Sequence, residues 1–165
     1  MLKRVCAGGV VFYKDEVFIL RNDKGEWVLP KGVVRDGKLP SEVALNRVEA
    51  ETGVKAKMVF VVGETCYEFY SYSRQKPVCN EVTWYLMEAE DENYRVARGE
   101  GFVDGGFYFI DKAVDMITYS QDKSIVRLAY KKYLQSKGVV FLRDYQNSNK
   151  HKNNKNKMQT LLYKH

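Results

Sequence analysis

The pattern of hydrophobic and polar residues predicts a chain that is mostly β-structure with three helices. Val5–Tyr13 and Val17–Leu20 are apolar runs separated by a polar turn, which is typical of a β-hairpin. Gly8 and Gly9 interrupt the first run and predict either a bulge or a close approach of another group to the strand backbone. Further strands are predicted at residues 27–29, 58–72, 81–90 and 106–110.

The first predicted helix begins at Pro40 and Ser41 and ends before Gly53. Pro suits the first position of a helix, and Gly suits the position after its end. The apolar side of this helix consists of Ala44, Leu45, Val48 and Thr52. Two more helices are predicted at residues 111–117 and 120–136.

Composition fits a single folded domain, which we assign to residues 1–143, followed by a basic tail at residues 144–165. The chain has 165 residues, of which 45% are hydrophobic and 13% aromatic. The tail contains five Lys and one Asp and so carries +4 of the net charge of +6. Its charge would attract nucleic acid, but an Asn- and Lys-rich segment is more typical of a flexible, solvated tail, which we favour.

Hydropathy and cysteine content indicate a cytoplasmic protein that does not enter a membrane. No hydrophobic run approaches the roughly 20 residues that a membrane span requires. Cys6, Cys66 and Cys79 are odd in number and lack the spacing of metal ligands. We therefore expect them to be reduced thiols.

The stretch from Pro30 to Val54 resembles the Nudix box, a loop and helix that hold Mg²⁺ against a diphosphate. The family's pattern begins at Gly32 and closes on Gly53 and Val54 with its spacing intact. The order of predicted elements over residues 3–136 is also similar to that of the family. The resemblance implies an α+β fold, the Nudix-type α/β/α sandwich with a mixed central β-sheet.

Most acidic residues of the box are replaced in this chain. The family places Glu residues on one helix face to hold Mg²⁺, because hard cations take carboxylate oxygens as ligands. The matching positions here are Arg47, Ala50 and Glu51, and the loop Glu is replaced by Lys38. Glu51 is therefore the remaining candidate for catalysis and for metal binding. Glu49 lies about 160° around the helix from Glu51 and is not expected to replace the lost ligands.

Arg47 lies one helical turn before Glu51, so the two side chains are predicted to form an ion pair. The guanidinium would then occupy the position of a metal ion. Arg47 and Lys38 both oppose a divalent cation and attract a phosphate group. The alternatives are an ordinary surface ion pair for Arg47 and a solvated loop position for Lys38.

Several segments look most similar to the diadenosine tetraphosphate hydrolase branch of the family. These segments are residues 7–12, 27–32, 62–64, 84–87 and 118–120. The resemblance implies that Lys31 reaches phosphate and that Tyr70, Lys76 and Tyr119 line the nucleotide. Stacking of an aromatic side chain on a base needs no metal, so a protein that has lost catalysis can still bind a nucleotide. The alternative role for both tyrosines is packing against the core.

Three functions remain open from the sequence. The first is binding of a nucleotide or dinucleoside polyphosphate by a protein whose metal site is degraded and whose hydrolysis is weak or absent. The second is a divergent Mg²⁺-dependent pyrophosphohydrolase that uses Glu51 with acids outside the box. The third is an interaction module whose tail contacts nucleic acid. The acids open to the second function are Glu64, Glu81, Glu100 and Asp104.

Overall fold

The computed structural model describes residues 1–138. The predicted tail at residues 144–165 and the predicted domain end at residue 143 lie outside the described residues. Met1–Tyr130 form one compact unit, and the described residues 131–138 belong to a second. No helix among residues 1–138 is both long and apolar enough to cross a membrane.

The core of the fold is a seven-stranded mixed sheet. Its strands are β1 (Leu2–Tyr13), β2 (Glu16–Asn22), β3 (Trp27–Val28), β4 (Lys31–Val33), β5 (Ala56–Ser71), β6 (Lys76–Ala89) and β7 (Phe102–Phe109). The order across the sheet is β3-β2-β1-β6-β5, with β4 also paired to β1 and β7 also paired to β2. β1 and β6 run parallel, whereas the other pairs are antiparallel. The predicted hairpin and the predicted mixed sheet are both confirmed.

Within residues 1–138, three α-helices accompany the sheet: α1 (Pro40–Thr52), α2 (Ile110–Met116) and α3 (Ser120–Ser136). α1 ends where predicted, because Gly53 adopts a left-handed conformation at φ 68° and its N–H donates to the Glu49 carbonyl at 2.9 Å. Ala44 and Val48 of α1 are buried in the core cluster against the sheet. Strands and helices together form the α/β/α sandwich that the sequence predicts.

Gly8 and Gly9 allow other groups to approach β1 closely. A Cβ on Gly8 would lie 2.4 Å from the Trp84 ring and 2.7 Å from the Pro30 carbonyl oxygen, and one on Gly9 would lie 2.7 Å from Val48. β1 keeps an unbroken register with β6 across both glycines. The predicted close approach is therefore correct, and the alternative bulge is not present. The contacts hold α1 and the Pro30 loop against β1.

β6 begins at Lys76, earlier than the predicted start at residue 81. Val78, Cys79 and Asn80 pair with β1 on one side and with β5 on the other. These pairings supply hydrogen-bond partners on both sides of the segment, so it forms a strand although its local sequence indicates a loop. The extension brings Asn80 into the central sheet.

Candidate functional site

An ion-pair cluster lies at the position where the box would hold metal. Arg47 Nη2 donates to Glu51 Oε1 at 2.8 Å and to Glu100 Oε2 at 2.9 Å. Arg47 Nε also donates to Glu51 Oε1, at 3.3 Å. The predicted pairing of Arg47 with Glu51 is confirmed. Glu100 is a second partner of Arg47, and the sequence named it only as one of four acids outside the box that could serve a hydrolase.

Backbone contacts fix both ends of this cluster. A Cβ on Gly32 would lie 2.5 Å from Arg47 Cγ, so the stem of Arg47 lies directly on the β4 backbone. On the other side, the Ala97 N–H donates to the Glu51 carbonyl at 3.0 Å. This bond holds the short 3-10 turn at Arg98–Glu100 beside the end of α1. The guanidinium is therefore held between two elements that are fixed to the box.

Glu51 is a buried carboxyl with one oxygen still unpaired. Its residue is 4% exposed, and Oε2 has no hydrogen-bond partner among residues 1–138. Burial raises the pKa of Glu51 to about 7, although Arg47 and, more weakly, Lys31 act to lower it. The ion pair thus only partly compensates for the loss of water around this carboxyl.

The residues at the box do not fit Mg²⁺. Two of the three helix positions that the family fills with Glu are Arg47 and Ala50, neither of which can donate an oxygen from its side chain. A guanidinium nitrogen already lies 2.8 Å from Glu51 Oε1, where it would repel a divalent cation. Within residues 1–138, no three acidic, His or Cys side chains come together as a metal site.

A cavity of about 860 Å³ opens beside Glu51. Pockets of roughly 300–1,000 Å³ are typical of small-molecule sites. Of the sequence-predicted site residues, Lys31, Glu51 and Tyr119 line it. Its charged lining consists of the basic residues Arg4, Lys24 and Lys31 and the acidic residues Asp23, Glu26, Glu51, Glu68, Glu100 and Asp122. Acids therefore outnumber bases around the cavity.

Among the basic residues of the cavity lining, Lys31 acts electrostatically on both buried carboxyls, Glu51 and Asp122. It is held by β4, where it pairs with Gly8 of β1. Its Nζ lies 5.1 Å from the centroid of the Tyr67 ring. Burial raises the pKa of Asp122, and the charge of Lys31 acts to lower it, as it does for Glu51. Lys31 therefore lies within electrostatic range of two acids and against one aromatic ring.

Tyr119 closes another side of the cavity. Its hydroxyl donates to Glu26 Oε2, and this hydrogen bond raises the pKa of Tyr119 to about 12. The preceding residue, Thr118, accepts a hydrogen bond from the Trp27 N–H at 2.9 Å through Oγ1. These contacts tie the start of α3 to β3, so Tyr119 is held at the cavity rather than packed in the core.

Besides Arg47, which lies at the box, three sequence-predicted residues lie outside the cavity lining. Lys38 is exposed in the loop before α1, and Lys76 is exposed at the start of β6. Tyr70 is 51% exposed, and its ring lies against that of Tyr72 at 5.3 Å. The roles proposed for these three residues in ligand binding remain predictions that this arrangement does not support.

Only one of the four alternative acids reaches the box. Glu100 bonds to Arg47, as described above. Glu81 forms a surface ion pair with Lys3 at 3.4 Å, and Glu64 accepts a long hydrogen bond from Thr83 at 3.5 Å. Asp104 accepts a hydrogen bond from the next backbone N–H on β7. Glu100 and Glu51 are therefore held apart by a cation and do not form a carboxylate cluster of their own.

The sequence interpretation missed a polar network in the part of the cavity lining formed by β1, β5 and β6. Arg4 Nε donates to Asn80 Oδ1 at 2.9 Å, and Asn80 Nδ2 donates to the Tyr67 hydroxyl at 2.6 Å. The Phe69 ring lies 6.0 Å from that of Tyr67, in a nearly parallel orientation. A polar Asn80 after Val78 and Cys79 was the one signal in the sequence, and it was hidden because this segment was predicted as a loop.

Comparison with known proteins agrees with the geometry. Residues 2–126 match the family model described as NUDIX domain. Because this match spans most of the chain, the protein belongs to the Nudix family. The mixed sheet with its helices is the fold of this class.

Solved structures share the fold at low sequence identity. A NUDIX hydrolase from Nitrosomonas europaea is 11% identical, with a TM-score of 0.63 over 81% of this chain and 73% of that one. The E. coli dihydroneopterin triphosphate pyrophosphohydrolase is 12% identical, with a TM-score of 0.62 over 76% and 95%. The C. elegans Ap4A hydrolase is 16% identical, with a TM-score of 0.60 over 81% and 99%. At these identities the likeness extends to the fold alone.

Proposed function

We propose that this Nudix-family chain binds a nucleotide or dinucleoside polyphosphate and hydrolyses it weakly or not at all. The observation that carries the proposal is the Arg47 guanidinium bonded to both Glu51 and Glu100. An internal cation neutralises the acids that a metal would otherwise require, so Mg²⁺ is not a cofactor of this activity. Three free thiols support a reducing compartment such as the cytoplasm.

Lys31 is the group that we expect to attract the phosphates. Arg47 already has two carboxylate partners, and Lys38 lies outside the cavity lining. The acids around the cavity oppose a polyphosphate, so the loss of a cation within it should weaken binding strongly. Lys31→Met should therefore lose most affinity, whereas Lys38→Met, the matched removal of an exposed box cation, should retain it.

The proposal is tested with a panel of nucleoside polyphosphates and dinucleoside polyphosphates. Binding and hydrolysis of each compound are both measured with and without Mg²⁺. We expect binding of at least one nucleotide without Mg²⁺ and no Mg²⁺-dependent turnover. Arg47→Ala and Glu51→Gln are measured alongside the unmodified chain. Mg²⁺-dependent turnover that Glu51→Gln abolishes would overturn the proposal and show that the protein is an active pyrophosphohydrolase.

A second candidate function is the pyrophosphohydrolase itself, and one observation favours it. Glu51 Oε2 is unpaired at the cavity, and the pKa of this carboxyl is raised by burial to about 7. A carboxyl with a pKa near the working pH is suited to act as a general base toward water. If this candidate is correct, turnover should rise with pH through about 7 as Glu51 loses its proton.

A further inference from the structure

The part of the cavity lining formed by β1, β5 and β6 contains an organised set of hydrogen-bond donors next to an aromatic surface. Asn80 is 2% exposed and uses its carbonyl oxygen for Arg4 and its amide for Tyr67. Arg4 and Tyr67 are thereby fixed relative to each other. Because a buried amide whose oxygen and nitrogen are both hydrogen-bonded resists rearrangement, this part of the lining is preorganised.

The groups that remain for a ligand on this network are donors. Arg4 uses Nε for Asn80, and its two terminal nitrogens make no hydrogen bond within residues 1–138. The Tyr67 hydroxyl oxygen accepts from Asn80, which leaves its own hydrogen to be donated. Lys31 adds an ammonium 5.1 Å from the Tyr67 ring. Asn80 Oδ1, an acceptor of this network, already accepts the hydrogen bond from Arg4 Nε.

Flat aromatic surface accompanies these donors. Phe69 and Tyr67 are two residues apart on β5, in a stretch whose register with β6 is unbroken from Gly63 to Ser71, and so they share one face of the strand. The Arg4 guanidinium lies over the Phe69 ring, 5.6 Å from its centroid, and Phe69 remains 37% exposed. If a planar ligand ring stacks on these side chains, one of its edges would lie beside the two terminal nitrogens of Arg4.

We propose that Arg4, Tyr67 and Phe69 form a base subsite that prefers a 6-oxopurine nucleotide over its 6-amino counterpart. A 6-oxopurine offers two acceptors along one edge, N7 and O6, which match the paired N–H groups of arginine. A 6-aminopurine replaces one acceptor with a donor, which would face the donors of Arg4. This proposal rests on the proposed function, because it assumes that a nucleotide occupies the cavity.

The test is calorimetric titration of the full chain with ITP, ATP and inorganic tripolyphosphate. ITP and ATP differ in the base edge, and tripolyphosphate has no base. We expect ITP to bind roughly tenfold more tightly than ATP. Arg4→Met should bring the two nucleotides to equal affinity and lower tripolyphosphate affinity by clearly less than it lowers ITP affinity.

Two further variants separate recognition of the edge from charge and stacking. Lys3→Met, the removal of the neighbouring exposed cation on β1, should preserve the preference. Phe69→Leu should weaken ITP and ATP together by roughly fivefold and keep their ratio, because stacking does not distinguish the bases. Each variant is first shown to unfold cooperatively with heat.

The outcomes separate this proposal from the proposed function. Equal affinity for ITP and ATP in the unmodified chain, with clear binding of both, would overturn the base preference and leave nucleotide binding standing. A fall in tripolyphosphate affinity in Arg4→Met that equals the fall for ITP would make Arg4 a phosphate ligand and also overturn the proposal. Failure of all three probes to bind would overturn both.

Discussion

Two polar clusters of this molecule use their charged and hydrogen-bonding groups in opposite ways. At the box, Arg47 bonds to both Glu51 and Glu100, so its charge is taken up within the protein. On the lining formed by β1, β5 and β6, Asn80 holds Arg4 and Tyr67 and leaves their remaining donors unused among residues 1–138. In the first cluster a protein side chain takes the place of a bound cation. In the second cluster the donors of the protein remain available to a ligand.

Removal of the internal cation should produce the largest effect. Arg47→Met deletes the partner of a carboxyl that is 4% exposed. Breaking a buried pair from one side costs about 4 kcal/mol of unfolding free energy, because it leaves a buried charge uncompensated. We expect this loss at pH 8, measured by urea denaturation, and a smaller loss at pH 5, where Glu51 can take up a proton.

Lys38→Met is the control for that measurement. Lys38 is an exposed cation of the same box and should change the unfolding free energy by less than about 0.5 kcal/mol. An equal loss at pH 5 and pH 8 in Arg47→Met would show that the packing of its stem on Gly32, rather than its charge, stabilises the box.

Glu51 should make the protein less stable as pH rises. The folded-state pKa is about 7, above the ordinary value of 4.5, so the folded state holds the proton more tightly than the unfolded state. The contribution is fully present below pH 4.5 and is lost as pH rises through 7. The loss should approach about 3 kcal/mol, given 1.36 kcal/mol for each pH unit between the two values.

Glu51→Gln isolates this pH dependence. Gln keeps an oxygen that can accept from Arg47 but cannot ionise. As pH rises from 4.5 to 8, the free energy of unfolding of the unmodified chain should therefore fall relative to that of Glu51→Gln. Parallel pH profiles of the two proteins would mean that the pKa of Glu51 is not raised in the folded state.

Glu100 should contribute less than Glu51, although both contact the same nitrogen of Arg47. Its side chain is 44% exposed, and exposed ion pairs contribute at most about 1 kcal/mol. Glu100→Gln should cost no more than that in urea denaturation, with a smaller effect at high salt. Glu81→Gln, which breaks the surface pair with Lys3, is the matched comparison. A cost near that of Arg47→Met would show that Glu100 is the main partner.

Local sequence was enough to predict the box end of the cavity. Pro40 and Gly53 define α1 through backbone preferences that act within a few residues, and the four-residue spacing of Arg47 and Glu51 places them on one face. Glu100 could be named only as one of several acids. Its contact with Arg47 spans 53 residues and depends on the turn that Ala97 anchors to α1.

The lining formed by β1, β5 and β6 could not be predicted, because it depends on pairing between strands that are distant in sequence. Arg4 and Asn80 meet through the parallel contact of β1 with β6. β5 also shifts register twice, between Met58 and Phe60 and between Val61 and Gly63. Each shift changes which residues share a face, and nothing in the alternation of the sequence marks where it occurs.

The smallest expected effect concerns Tyr70, which the family resemblance assigned to the nucleotide. The unbroken register between Gly63 and Ser71 puts Tyr70 on the opposite face of β5 from Tyr67 and Phe69. Tyr70→Ser should therefore change nucleotide affinity by less than about twofold, whereas Phe69→Leu should weaken it roughly fivefold. Calorimetric titration with ITP compares the two. A loss in Tyr70→Ser as large as that in Phe69→Leu would move the ligand to the other face of the strand and support the family-based assignment instead.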